Sequence, residues 1–300
     1  MPIQMFHIGF NGGNPGFPKS DLTSRYFSNP TDKIVYDINE SNILMIGNFI
    51  NDDDMQIILT YTKTKILYIG EPITKFDFCY YSNILFQENK CDYYFGVISN
   101  KSNKWIKCPF YIYDKINFQI VNEMVATTPI NNKRFCCLIN SHDAGNTRLP
   151  ILTNLSKYGH VDCPGKLANN CSPDDVTMVG GGNIEYIKQF VFNICSENFG
   201  ASHPGYITEK LINCVSGGAI PIYYGELDEV DNLIFNKDRI LFLNSTNESH
   251  VAEKVNELLL NPSKLESFYR QPVFMDTAED TINRINADIF SFFKQLSCEH

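Results

Sequence analysis

The sequence has no run of 18 or more apolar residues, so nothing in it reads as a membrane span. Its opening stretch, MPIQMFHIGFNGGNPGFP, has neither a basic n-region nor a long apolar h-region, which removes a signal-peptide reading. The expectation is a cytoplasmic protein without a membrane anchor. Positive charge is scarce: 25 Lys and Arg stand against 34 Asp and Glu, a net charge of −9. That balance argues against a general nucleic-acid or anionic-membrane surface. It also requires any anionic substrate to be held by a few local cations. None of the ten cysteines is spaced C-x-x-C, which disfavours zinc and thioredoxin-like readings. They are expected to be reduced, mostly buried thiols. No internal repeat is visible.

What is present fits a globular α/β protein with two domains in its 300 residues. Residues 10–30 are rich in Gly, Pro, Asn and Ser and read as an irregular arm. Short strand-like runs follow near Lys33–Ile38, Asn42–Ile46 and Met55–Leu59, then KILYIGEP (Lys65–Pro72), Cys91–Ile98 and Lys107–Tyr113. The second half alternates more clearly. Strands are expected at Arg134–Asn140, His160–Asp162, Phe190–Ser196, Ala219–Gly225 and Arg239–Asn244. Helices are expected at Thr147–Gly159, Gly205–Gly217, Glu248–Leu260 and Ala278–Leu296. This order implies a parallel sheet covered by helices, with ligands beyond the carboxyl ends of the strands. The polar, Pro-containing link near Ala126–Asn132 predicts domains at 1–129 and 130–300, the last helix packing back on the first domain.

The stretch SENFGASHPGYITEKLINCVSGGAIPIYYG, Ser196–Gly225, concentrates Glu197, Asn198, His203, Tyr206, Glu209 and Lys210 in one loop and first helical turn. A crossover that only closed a sheet would not need so many hydrogen-bonding groups. With the helix starting at Gly205, Tyr206, Glu209 and Lys210 share a side by i, i+3, i+4 spacing. The free N–H groups and positive dipole end of that helix suit a phosphate, and so does a lysine beside them. The plainer alternative is a solvated first turn. Arg148, at the start of another strand-end helix, is a bidentate phosphate partner by type, with a surface ion pair as its alternative. The two cations together favour a diphosphate site. Glu71 closes a strand as either a terminal charge or a general base.

Other candidates carry less. Asp52-Asp53-Asp54 reads as a solvated turn rather than a metal site, and Asp174-Asp175 as a helix cap. Gly180-Gly181-Gly182 does not directly follow a strand and reads as a loop. His142 and His203 both sit in strand-end loops. Tyr94, Tyr111, Tyr223 and Tyr224 read as core or rim aromatics before ligand-stacking platforms.

Glu197-Asn198, then YITEK, then GAIPIYYG resemble the signature of the α-1,3/4-fucosyltransferases, glycosyltransferase family 10. VDCPGKLANN (Val161–Asn170), IKQFVFNICSEN (Ile187–Asn198) and YIGEP (Tyr68–Pro72) resemble further family segments in the same order. The likeness covers Arg134–Pro272 well and the first half weakly. The loop between Asn198 and Tyr206 is two residues longer than the family pattern, and Ser196, Phe199 and Val191 depart from it.

The resemblance implies a GT-B fold, two Rossmann-like domains with a cleft between them, using GDP-fucose as donor. It implies that Arg148 and Lys210 neutralise the diphosphate, that Tyr206 and Asn198 help to hold the nucleotide-sugar, and that Glu209 contacts the fucose or its developing charge. Glu71 matches the family's proposed base. The reaction would be an inverting transfer to O3 of GlcNAc in an N-acetyllactosamine-type glycan, with no metal or other cofactor required. The alternatives are a GT-B transferase with another nucleotide-sugar or acceptor, and a catalytically idle glycan-binding protein of the same fold.

Overall fold

A computed structural model of the protein describes residues 2–10, 24–71, 77–100, 102–113, 116–143, 145–171, 182–198, 200 and 203–299. Asp174-Asp175, Gly180-Gly181, Phe199 and most of the expected N-terminal arm lie outside the described residues. The chain divides into two compact units. The first comprises Met1–Ile112 and Ile282–His300, the second Tyr113–Thr281.

The first unit runs β1 (Gln4–Ile8), β2 (Lys33–Ile34), β3 (Ile43–Ile46), α1 (Asp52–Thr60), β4 (Thr64–Ile69), α2 (Tyr80–Gln87), β5 (Tyr93–Gly96) and β6 (Trp105–Lys107). Its six strands are parallel, in the order β2-β1-β3-β4-β5-β6. All four residues of β3 are buried, as central parallel strands require. Two expectations fail here for local reasons. Met55–Leu59 is helical, because Asn51 and Asp54 form a reciprocal capping box and three aspartates favour the positive end of α1. The strand expected at Lys107–Tyr113 stops at Lys107. Pro109 has no N–H for a ladder, and Phe110–Tyr113 forms a 3-10 turn.

The second unit runs α3 (Phe118–Thr127), β7 (Arg134–Leu138), α4 (Arg148–Leu155), β8 (Val161–Asp162), α5 (Gly182–Ile187), β9 (Phe190–Ser196), α6 (Glu209–Ser216), β10 (Ile220–Tyr224), β11 (Leu241–Leu243), α7 (Glu248–Leu259) and α8 (Pro262–Tyr269). Its parallel sheet has the order β11-β10-β9-β7-β8. All seven residues of β9 are buried. The expected domain boundary at 129/130 falls inside this unit, because α3 packs within it. Asn122 accepts from the N–H groups of Val273 and Phe274 at 2.8 and 3.0 Å and donates to the Phe274 carbonyl at 3.0 Å. The Phe118 and Phe274 rings stand 4.9 Å apart.

The last helix, α9 (Ala278–Glu299), begins in the second unit, and its residues from Ile282 onward group with the first. There Phe292 packs edge-on to Tyr93 and Phe95, and Tyr26 donates to Asn286 Oδ1 at 2.7 Å. All ten cysteines are free, and eight are buried. Among the described residues no helix is long and apolar enough to cross a membrane.

Candidate functional site

In the second sheet the chain winds from β7 to β8 in one direction, then to β9, β10 and β11 in the other. The reversal lies between β7 and β9, where open parallel sheets bind ligands at their carboxyl ends. A cavity of about 710 Å³ lies there. Its lining includes Asn140 and His142 after β7, Asn193 and Asn198 from the β9 strand and its end, and Glu209 and Lys210 from α6. The segment Pro164–Lys166 completes one side. Gly165 is required for that closure: a Cβ on it would stand 2.2 Å from the Asn140 carbonyl oxygen. The same carbonyl accepts the Leu167 N–H at 3.0 Å.

Helix α6 carries the charged wall. Leu211, Ile212, Cys214 and Val215 are its buried face. Each large aliphatic side chain among them contributes about 1.5–3 kcal/mol by burial, which fixes the rotation of the helix and turns its start to the cavity. Thr208 is the N-cap, its hydroxyl accepting the Lys210 N–H at 3.4 Å. The helix therefore starts at Glu209, not near Gly205. Tyr206 precedes it in a turn closed by the Tyr206 N–H to the His203 carbonyl at 3.1 Å. The expected i, i+3, i+4 face of Tyr206, Glu209 and Lys210 does not form, and Tyr206 is buried.

Lys210 Nζ lies 3.2 Å from Glu209 Oε1, 3.6 Å from Glu197 Oε2 and 3.0 Å from Thr208 Oγ1. Burial alone would lower the ammonium's pKa, but the Glu197 and Glu209 carboxylates outweigh it and raise the value. Glu209 loses part of its hydration at the cavity wall although its side chain is exposed; Lys210 and the residue's own N–H outweigh that loss and lower its pKa. Glu197 is wholly buried, and its pKa is raised by that burial against the partial offset of Lys210 and Thr208.

Arg148 lies within the protein at this end of the sheet, 1% exposed. Its guanidinium donates to the His142 carbonyl, to the Ser196 carbonyl at 2.8 Å and to Asn198 Oδ1 at 3.0 Å. It ties the loop after β7 to the end of β9 and orients Asn198 on the cavity wall. Its Nε and the Ser196 hydroxyl are buried without a hydrogen-bond partner. Burial lowers its pKa, opposed by Asp143 and Glu197. The start of α4 is taken by Asp143, which accepts from the N–H groups of Arg148 and Leu149 at 2.9 and 3.2 Å.

Of the expected site residues, Asn198, Glu209 and Lys210 line the cavity together, while Arg148 and Tyr206 are buried. Glu71 belongs to the first unit, at the end of β4. Asn48, buried, holds its backbone: with the amide oriented so that both its atoms are satisfied, it donates to the Tyr68 carbonyl at 2.8 Å and accepts the Glu71 N–H at 3.1 Å. Sequence reasoning gave no role to Glu197, Thr208 or Asp143. Thr208 had a signal, since a threonine before Glu209 is an N-cap pattern. Among the described residues no group of three or more His, Cys, Asp or Glu could hold a metal ion.

Residues 129–286 match the family model described as glycosyltransferase family 10 (fucosyltransferase), C-terminal part. A protein of Acanthamoeba polyphaga mimivirus named "Putative fucosyltransferase R654" is 29% identical over 237 residues. That match covers 74% of this chain but spans only 35% of the relative's length. A crystal structure of an α1,3-fucosyltransferase superposes with a TM-score of 0.70 at 17% identity, covering 97% of this chain and 90% of that one. A crystal structure of an α1,3-fucosyltransferase with GDP-fucose superposes with a TM-score of 0.66 at 16% identity, covering 96% of this chain and 90% of that one. At such identities the likeness is one of fold, and the fold, with two parallel-sheet α/β units, is GT-B.

Proposed function

The chain belongs to glycosyltransferase family 10, the fucosyltransferases, and we propose that it transfers fucose from GDP-fucose to O3 of GlcNAc in an N-acetyllactosamine-type glycan, inverting the anomeric carbon. The observation that carries this reading is Lys210, an ammonium on the cavity wall at the start of a helix, at the winding reversal of a parallel sheet. Such a place suits a diphosphate. In a chain of net charge −9 it is a local exception.

In this reading Lys210 meets the diphosphate directly. Arg148 adds positive charge from beneath and holds Asn198 toward the nucleotide-sugar. Tyr206 supports the same wall from behind. An acceptor hydroxyl attacks the anomeric carbon, its proton passes to the Glu71 carboxylate, and the bond to the diphosphate oxygen breaks with its electron pair leaving on GDP. Glu209 faces the positive charge that develops on the sugar ring. Lys210 and Arg148 balance the leaving group, so the reading includes no metal.

The test is product mass and GDP release from purified protein with GDP-fucose and N-acetyllactosamine, in EDTA, with a control lacking acceptor. One deoxyhexose added to the acceptor is the expected result. GDP binding without transfer would move the acceptor assignment to other glycans. No GDP binding would overturn the donor assignment.

A further inference from the structure

Glu197 is a buried carboxylate that the reaction above does not use. It directly follows β9, and its N–H donates to the Tyr224 carbonyl at 2.9 Å, which roots its backbone against β10. Its side chain reaches the start of α6. Oε1 accepts the Thr208 N–H at 2.8 Å, Oε2 accepts the Thr208 hydroxyl at 2.5 Å, and the Tyr223 hydroxyl donates to Oε1 at 3.5 Å. The Thr208 hydroxyl has one proton, which it gives to Glu197. Its lone pairs then accept Lys210 Nζ at 3.0 Å. A chain of charge-assisted hydrogen bonds thus runs from the buried carboxylate through the N-cap to the ammonium on the cavity wall.

Lys210 has two carboxylate partners of unequal kind. The Glu209 side chain is 67% exposed and free to be replaced by an incoming anion, while that of Glu197 has no exposure. An exposed pair holds its members weakly. A buried, hydrogen-bonded carboxylate cannot move away and stays charged only with its partners in place. The lysine stem has four rotatable carbons and needs such an anchor to hold one position.

We infer that Glu197 is the positioning residue for Lys210, holding the ammonium at the cavity wall through Thr208 so that a nucleoside diphosphate can displace Glu209 from it. The inference rests on the donor reading above for its ligand, and on the geometry of the second unit alone for its mechanism. Glu197 acts only through Lys210.

The test uses the full chain, with Glu197→Gln, Lys210→Ala and the double variant, and two readouts. In the first, lysines are reductively ¹³C-methylated and the Lys210 resonance is followed without nucleotide. Glu197→Gln is expected to shift and sharpen it as the side chain is released. In the second, GDP binding is measured by calorimetry. Glu197→Gln is expected to weaken GDP on the order of tenfold, and to add nothing in the Lys210→Ala background. If Glu197→Gln does not fold, Thr208→Val breaks the same chain and is expected to act in the same direction. An unchanged lysine signal, tighter GDP binding, or an equal loss with and without Lys210 would overturn the inference. Wild-type protein that binds no GDP would overturn the donor reading alone, since the lysine signal still reports on Glu197.

Discussion

The two sheets reverse their winding in the same way but finish the reversal differently. In the first unit it lies between β1 and β3, and backbone closes it there. The Gly47 N–H donates to the Ile8 carbonyl and the Phe49 N–H to the Gly9 carbonyl, both at 2.8 Å. A Cβ on Gly47 would stand 2.5 Å from the Gly9 oxygen. In the second unit the equivalent place holds the 710 Å³ cavity, with Arg148 tying the two strand ends from below. One architecture thus yields a backbone clasp with Glu71 nearby, its N–H held by Asn48, and a site walled by paired charges.

The largest expected effect lies beside the clasp. Glu71→Ala should lower kcat by about 10²–10⁴-fold while GDP affinity, measured by calorimetry, stays at the wild-type value. Normal turnover would remove Glu71 as the base and leave the first unit without a chemical role. On the other side of the comparison, Lys210→Ala should reduce kcat/KM for GDP-fucose on the order of 10²-fold, with the loss visible in GDP affinity as well. A loss confined to kcat would mean that Lys210 acts on the transition state alone.

The two glycines sharpen the contrast. Gly47→Ala and Gly165→Ala each force backbone apart and should cost about 1–3 kcal/mol of stability in urea unfolding. Only Gly165→Ala should also raise the KM for the donor, since Gly165 lines the cavity. Equal effects on KM would erase the distinction between clasp and site. The smallest effect concerns the thiols. Burial pushes Cys79 and Cys91 up to about 12 and Cys163 up to about 11. A disulfide reagent at pH 8 should therefore label exposed Cys298 first and Cys171 next, with the buried thiols reacting only after unfolding. Fast labelling of Cys195 would show the cavity floor to be open to reagent.

Much of the second unit was legible because its strands are apolar runs bounded by polar loops. β9 and β10 fall within the expected spans, since the composition of a fully buried strand leaves little else for it to be. Met55–Leu59 was misread because a short apolar run does not distinguish strand from helix, and the capping box upstream decided it. The start of α6 was misplaced by four residues. The polar cluster reads equally as loop or first turn until Thr208 takes the cap. Lys210, Glu209 and Asn198 were legible as a group because polar side chains crowd at a strand end. The burial of Arg148 and Tyr206 was not, because an arginine's surroundings are long-range contacts that adjacent residues do not encode.

The sequence by itself determined the alternation of strands and helices, the scarcity of cations and the order of the motif that places the chain in its family. These are local or compositional properties, written in neighbouring residues. The tertiary structure alone decided that Glu197 meets Thr208 across 11 positions and that Arg148 meets Ser196 across 48. Hydrogen bonds at such separations exist only once β7, β9 and β10 lie side by side. It is that pairing that turns scattered polar residues into a charged cavity wall.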